Sequence, residues 1–397
     1  MPIWLFICLT TISLQAQVTD PVLREKIRHR QDSLHQMQME RDQALLAEPF
    51  KGITAIGQVQ EGLFKLGTTG VSTEPVRQAA LEFLATLDEQ QRAGTNYPID
   101  DEEWQRWMNT ALYVRQGVGF YEMTDKQRDA AFKLMKESLS AKGLTLSRNI
   151  MRLNHTLAEI SDNYEVYGEW VYWITIMGQP SETEPWGWQL DGHHLNINYF
   201  VLGDQVVMTP FFVGSEPVIA ESGKYKGITI LQEEQNAGLK MLRALHKKQK
   251  KQAVLEVSKT ENLMLAGAFK DNLVLDYAGV PASSFSKKQK KQLLALIKLY
   301  VENMDKGHGK VRMEEVAQHL EETWFAWIGG DKDNSVYYYR IHSPVILIEF
   351  DHQKPFVTRE LYGSAPHRQH IHVIVRTPNG NDYGKDLLRL HLEQHQH

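Results

Sequence analysis

Apolar residues in the first third of the chain recur at the spacing of helices. One stripe of a predicted helix that begins near Glu74 carries the apolar residues Val76, Ala80, Phe83, Leu84 and Leu87. A charged helix is also predicted over about 23–48, and a loop-rich stretch follows it to residue 73.

A third helix is predicted from its start signal. The hydroxyl of Thr124 can cap a helix while Gln127 reaches back to form a capping box. The helical pattern continues to about Ala141, and Gly143 is expected to stop it. The first third of the chain is therefore predicted to be mainly helical.

From Tyr164 the pattern changes to the alternation of β-strands. The segments between 164 and 214 are rich in aromatic and branched residues, and Gly203-Asp204 is typical of a hairpin turn. Helical spacing returns at about 229–319, and strand patterns occupy the last quarter. This order predicts an α+β fold, in which a mostly antiparallel sheet has an N-terminal helical region and a helical insertion.

The N-terminus resembles an export signal. An apolar stretch over 3–14 precedes Gln15-Ala16-Gln17, which predicts a signal peptide over 1–16 that is too short for a membrane anchor. We expect export to the periplasm or the outside of the cell, with no stable anchor after cleavage. The remaining parts are a helix and loop-rich segment over 17–73 and one domain over 74–397.

Composition and charge narrow the possible partners. The chain has 397 residues, of which 42% are hydrophobic, and a formal net charge of -5, so no strong positive field recruits nucleic acid. The two KKQKKQ runs at 247–252 and 287–292 contain no interleaved aromatic residues and are interpreted as solvated helix faces.

Cys8 is the only cysteine and lies in the predicted signal. Any metal in the mature protein must therefore be bound by histidine and oxygen ligands.

Alternation divides the strand residues into an apolar face and a polar face. In HIHVIVR, for example, His370, His372 and Arg376 share one face. We predict that the polar sets of four strands converge in a pocket formed by His194, Asn196, Asn198, Arg340, His342, Glu349, His370, His372 and Arg376. Histidine with arginine favours an anionic ligand, or a metal beside an anionic substrate group.

The His-x-His pair of this strand predicts a metal site. Both imidazoles point the same way, and a third ligand from another strand leaves one position open for water or substrate. His194 is the predicted third ligand, His342 a fourth or outer partner, and His193 a weaker candidate because its parity points to the core. Zinc, iron or copper suits such ligands. The alternative, that these histidines only form hydrogen bonds, stays open.

Other residues are predicted to have catalytic and substrate-binding roles around the metal. Glu349, Asp382 or Asp191 is expected to act as the base. The residues expected to bind substrate are Trp186, Trp188, Asn196, Asn198, Arg340 and Arg376. Two structural alternatives stay open: Asp191-Gly192 can be a simple turn, and the tryptophans, which we place on a loop, can close the end of the sheet instead.

Several long motifs resemble one bacterial family. They are GQPSETEPWGWQLDGHHLNINY, MTPFFVGSEP, YYYRIHSPVILIEFD and HIHVIVRTPNGNDYGKDLLRLH. They are similar to the recurring blocks of the family catalogued as domain of unknown function 3500 (DUF3500), over about 79–391. The resemblance implies export for many members and implies no activity.

The sequence therefore predicts an exported metal-dependent hydrolase or related enzyme. Its substrate is expected to be a small or glycan-like anionic molecule. The alternative is a secreted protein that binds a ligand or glycan without metal or catalysis, and a third reading is an envelope interaction protein that uses its basic helices. The oligomeric state is not predicted.

Overall fold

The computed structural model describes residues 20–395. The predicted signal peptide 1–16 lies outside these residues. Within them, no helix combines the length and the apolar character needed to cross a membrane.

Helices occupy much of the described chain. They are α1 (Pro21–Leu46), α2 (Glu74–Thr86), α3 (Glu89–Thr95), α4 (Asp125–Ser138), α5 (Ala141–Ser161), α6 (Tyr164–Tyr167), α7 (Gln232–Arg243), α8 (Lys247–Ala253), α9 (Lys287–Val301), α10 (Lys306–Gln318), α11 (Arg359–Tyr362) and α12 (Lys385–Gln394). Short 3₁₀ helices lie at 102–105, 282–284, 320–322 and 382–384.

Strands come from both halves of the chain. They are β1 (Asn96–Tyr97), β2 (Val118–Gly119), β3 (Tyr172–Gly178), β4 (Trp186–Gly192), β5 (Leu195–Leu202), β6 (Gln205–Val207), β7 (Phe211–Ser215), β8 (Val254–Glu256), β9 (Val280–Pro281), β10 (Trp324–Gly329), β11 (Tyr337–His342), β12 (Leu347–His352) and β13 (Ile371–Arg376).

These strands form one sheet in the described part of the chain. Its main order is β1-β3-β4-β5-β7-β13-β12-β11-β10-β8, while β2, β6 and β9 pair with β3, β5 and β10. Only the β1–β3 and β8–β10 pairs among the described strands are parallel. The mostly antiparallel sheet and the mixture of helices and strands confirm the predicted α+β class.

The sheet has a helical face and a loop-covered face. On the first face, apolar residues of α2, α4, α5, α7 and α9 pack against strand residues such as Ile174 and Val373. On the second face, the packing comes from loop residues such as Trp107 and from Leu387 of α12. Both faces of the sheet are therefore buried, and polar side chains on the second face lie beneath loops.

Two local predictions in this region are confirmed. Helix α2 buries Val76, Phe83 and other residues of the predicted stripe. The capping box of Thr124 and Gln127 begins α4. These signals succeed because a cap and a stripe are formed by residues within a few positions of one another.

The predicted helix stop at Gly143 is wrong. Helix α4 ends at Ser138, and Ser140 caps a new helix that contains Gly143 in its first turn. A Cβ atom at Gly143 would lie 2.0 Å from the carbonyl oxygen of Asn303. This glycine therefore permits close approach of a neighbouring chain segment, a contact that local sequence does not reveal.

The predicted insertion at 229–319 contains more than helices. It comprises α7, α8, α9 and α10 and also contributes strands β8 and β9, both of which pair with β10. On either side of it, the two halves of the sheet meet where β7 pairs with β13. Residues far apart in sequence become neighbours at this junction.

Candidate metal site

Three histidines converge at the junction between β7 and β13. The Nε2 atoms are 2.9 Å apart between His194 and His372, 3.0 Å between His370 and His372, and 3.2 Å between His194 and His370. We call these residues the histidine triad. A tetrahedral metal ion with ligand nitrogens at about 2.0–2.1 Å places those nitrogens roughly 3.3 Å from one another. The observed distances between the Nε2 atoms are close to this value.

Strand geometry brings two triad members together. His370 immediately precedes β13 and His372 lies within it, so both side chains point to the loop-covered face. His372 pairs with Gly214 of β7. A Cβ atom at Gly214 would lie 3.1 Å from Cδ2 of His372 and 3.4 Å from Cδ2 of His194. The glycine therefore leaves room for both rings.

The third member is positioned by a tight turn. His194 lies between β4 and β5 with φ of 62°, in the left-handed region. Its N–H donates to the carbonyl oxygen of Asn109 at 3.1 Å, and its own carbonyl accepts from the N–H of Gly214 at 2.8 Å. The turn consists of His193 and His194, whereas Asp191 and Gly192 are the last residues of β4. The alternative placement of the turn at Asp191-Gly192 is wrong.

The partner of His370 orients its ring. Nδ1 of His370 lies 2.8 Å from the carbonyl oxygen of Lys354. Because a carbonyl only accepts, this contact assigns the proton to Nδ1 and leaves the lone pair on Nε2. Oε2 of Glu216 lies 3.5 Å from the same nitrogen. The second carboxylate oxygen of Glu216 accepts from the N–H groups of Phe356 and Thr358, which fixes its position.

Burial favours the neutral form of the triad imidazoles. The exposed fractions of His194, His370 and His372 are 5%, 6% and 9%. Burial lowers the pKa of each imidazole, and neighbouring histidines lower the pKa of His194 and His372 further. Glu216 opposes the lowering of the pKa of His370. Neutral imidazoles are the form that binds metals.

His193 lies beside the triad without joining it. Its ring stacks on that of His194 with centroids 3.9 Å apart. Its Nδ1 lies 2.7 Å from Oδ1 of Asn154, whose amide nitrogen donates to the carbonyl of Gly168. Among the described residues, the one group able to surround a metal is the triad, so the structure does not place His193 as a ligand.

His342 lies away from the triad. It is the last residue of β11, and its ring centroid is 4.6 Å from that of Tyr277. Burial and the neighbouring Arg340 lower its pKa to about 3. The predicted fourth ligand therefore lies apart from the three nitrogens that converge.

The carboxylate of Glu349 binds a loop. It accepts from the backbone N–H groups of Leu265 and Ala266 and from the hydroxyl of Tyr338 at 2.5 Å. Burial raises its pKa, while these hydrogen bonds oppose the increase. Glu349 shares the polar face with His372, but it supports the loop that covers this face.

Arg376 and Asp382 form a second structural cluster. The Arg376 guanidinium donates to Asp271 at 2.6 Å, to Asp382 at 3.2 Å and to the backbone carbonyls of Ala266 and Gly267. Asp382 also accepts from the N–H of Thr377. Both side chains are fully buried. The structure therefore gives Arg376 internal partners in place of an open anion site.

Arg340 also has a backbone partner. Its Nη2 donates to the carbonyl oxygen of Asp276 at 3.1 Å, and the residue is 6% exposed.

The remaining predicted polar residues also have internal partners. Asp191 pairs with Arg115 at 3.1 Å and hydrogen-bonds to the side-chain amide of Asn196. Asn198 donates to the carbonyl oxygen of Pro210. Burial raises the pKa of Asp191 to about 6, although the guanidinium of Arg115 opposes that increase. Because loops cover the polar face, the predicted convergence of all its side chains in one pocket is wrong.

The tryptophans lie in a strand, so their predicted loop placement is wrong. Trp186 and Trp188 belong to β4 and are fully buried. Their indole N–H groups donate to the carbonyl of Ser181 and the hydroxyl of Ser138, both at 3.1 Å. Their side chains pack in the helical face of the sheet.

Sequence reasoning missed the residues that orient the triad. Gly214 and Glu216 lie within the motif MTPFFVGSEP, but periodicity distinguishes neither from an ordinary strand end. Lys354 contributes only its backbone carbonyl oxygen, which any residue at this position could supply. Only strand pairing reveals these contacts.

Comparison with known proteins gives one family. The family model described as "Protein of unknown function (DUF3500)" matches residues 69–385. No curated protein and no solved structure matches significantly.

Proposed function

Since this chain belongs to the DUF3500 family of proteins of unknown function, we propose from its site that it binds a divalent transition metal through the triad and acts as a metal-dependent hydrolase or related enzyme. The convergence of three buried Nε2 atoms within 3.2 Å of one another supports this proposal. Zinc, iron and copper all accept imidazole ligands.

Three protein ligands are typical of metal centres that keep a position for substrate or water. A metal at such a centre supplies Lewis-acid chemistry and lowers the pKa of water. The triad residues supply the ligand nitrogens, and Lys354 and Glu216 hold His370 with its ligand nitrogen facing the centre.

The substrate is proposed to be a small or glycan-like anionic molecule that the protein meets after export. Export rests on the N-terminal apolar stretch. Arg376 is occupied by Asp271 and Asp382, so the substrate's anionic group would contact the metal or another residue near the triad.

A second candidate is a metal-binding protein without catalysis. The placement of the expected bases favours this alternative, because Glu349 binds loop amides and both Asp191 and Asp382 pair with arginines. A site that only carries metal needs no such base.

Elemental analysis tests metal binding directly. Mature protein purified without a tag or added metal is expected to contain about one equivalent of zinc, iron or copper. The double variant His370→Ala, His372→Ala should lose the metal while retaining its circular dichroism spectrum. The surface variant His319→Ala serves as the matched control and should keep it.

Metal-free wild-type protein that also fails to take up added zinc, copper or iron would overturn the proposal. If metal is bound, hydrolysis of ester, phosphate and glycoside substrates before and after chelation separates the two candidates. Activity that chelation removes and metal restores supports the enzyme, whereas metal binding without turnover favours the second candidate.

A further inference from the structure

A cavity of about 680 Å³ lies beside α1, α4 and α5. Its wall includes Phe132, Arg148, Trp170, Lys224 and Tyr225 and contains none of the triad histidines. The volume falls in the range of small-molecule sites. This cavity is therefore a separate candidate for ligand binding.

Cationic side chains lie over the aromatic rings of this cavity. The guanidinium carbon of Arg148 is 4.2 Å from the ring centroid of Phe132, and that of Arg128 is 5.3 Å from the centroid of Trp170. Nζ of Lys224 is 4.6 Å from the ring centroid of Tyr225. Such contacts place positive charge beside flat apolar surfaces.

The cations of the wall differ in their partners. Arg128 pairs with Asp125, and Lys224 lies 3.4 Å from Glu169. The hydroxyl of Tyr225 also donates to Glu169. The guanidinium of Arg148, in contrast, forms no hydrogen bond or ion pair with the residues that the structure describes. Its guanidinium is therefore the cation of the wall that is available to an anion.

A second arginine increases the positive charge near Arg148. Arg152 follows it by one turn on α5, and its guanidinium carbon lies 5.8 Å from the ring of Tyr225. Burial lowers the pKa of Arg148 and the like charge of Arg152 lowers it further, whereas the acidic groups nearby, Glu169 foremost, oppose the lowering. An anion between the two residues would offset this repulsion. Glu169 contacts the hydroxyl of Tyr225 and Lys224, and in the described structure it forms no ion pair with Arg148.

We propose that this cavity binds a small aromatic anion, with its carboxylate or phosphate group on Arg148 and its ring against the aromatic wall. The planar guanidinium matches the two oxygens of either group. The half-buried rings of Phe132, Trp170 and Tyr225 provide flat surfaces for an aromatic ligand. The site is independent of the triad.

Calorimetric titration of the whole protein tests this assignment. Benzoate and phenyl phosphate are the probes, while inorganic phosphate lacks the ring and benzyl alcohol lacks the charge. At least one aromatic anion should bind saturably and more tightly than both controls. The tighter of the two probes identifies carboxylate or phosphate as the preferred group.

Variants locate the binding. Arg148→Met removes the charge but keeps an apolar stem over Phe132, and it should weaken binding roughly tenfold. Arg389→Met makes the same change in an exposed arginine of α12 and should have no effect. The double variant His370→Ala, His372→Ala should also bind the probe normally. Failure of both aromatic anions to bind, or unchanged affinity in Arg148→Met, would overturn the assignment.

Discussion

The polar face of the sheet has two regions that differ in what their side chains contact. Along β11, β12 and the end of β13, Glu349 and Arg376 bind the backbone of the loop at 265–267. At the start of β13, the Nε2 atoms of the triad contact one another. One region therefore stabilises a loop, whereas the other provides a possible metal centre. Buried polar residues on one strand face can serve either purpose.

The largest expected effect tests the loop-binding region. Arg376→Met should reduce the free energy of unfolding by about 3–5 kcal/mol, because it leaves Asp382 buried without its cation. Urea unfolding measures the loss. The exposed control Arg389→Met should lose no more than about 1 kcal/mol. A similarly small loss for Arg376→Met would show that this region does not hold the loop as the contacts indicate.

The next prediction concerns the orientation of the triad. Glu216→Gln keeps an oxygen for the Phe356 and Thr358 amides but removes the negative charge near His370. Metal affinity should fall about 10–100-fold, as it does when other groups that orient a metal-binding histidine are removed. Competition with a chromogenic chelator measures the affinity. Glu360→Gln, on exposed α11, is the control. Equal affinities for the two variants would contradict a role for Glu216.

A pH experiment tests His342, the last residue of β11, which lies away from the triad. Its folded-state pKa is lowered to about 3, while its unfolded value is about 6.5. The neutral form therefore stabilises the fold fully above pH about 6.5, and this contribution is lost as the pH falls toward 3. Between pH 7 and pH 5, wild-type protein should lose about 2 kcal/mol from this residue.

The variant His342→Leu should lack that part of the pH dependence and should keep its metal. Urea unfolding at both pH values, with metal-free protein, measures the difference. An identical loss of stability in wild type and variant would contradict the buried neutral state. Loss of metal would instead place His342 among the ligands.

The smallest expected effect concerns Trp186, for which the sequence predicts substrate binding. Trp186→Phe removes the hydrogen bond to Ser181 and should lower the free energy of unfolding by about 1 kcal/mol, with any packing loss added. Metal content and glycan binding should not change, because the ring is fully buried. Reduced glycan binding by a variant of unchanged stability would favour the substrate role.

The faces of His370 and His372 follow from their positions in the sequence. Period-two alternation places His370 and His372 on one side of the strand, and the core confirms it by burying Ile371 and Val373 on the other. The same rule cannot sort His193 and His194, because they form a turn and His194 has a positive φ. Alternation also does not show that loops cover the polar face.

The sequence by itself determined the α+β class, the local caps and stripes, and the family motifs, since these depend on residue order over short distances. Tertiary structure decided which polar residues meet. The pairing of β7 with β13 places His194 beside His370 and His372 across the insertion. The segments at 103–115 and 263–267 form hydrogen bonds with other polar side chains of the sheet. The physical reason is that a strand's pattern specifies a face, whereas its neighbours are selected by the packing of the whole sheet.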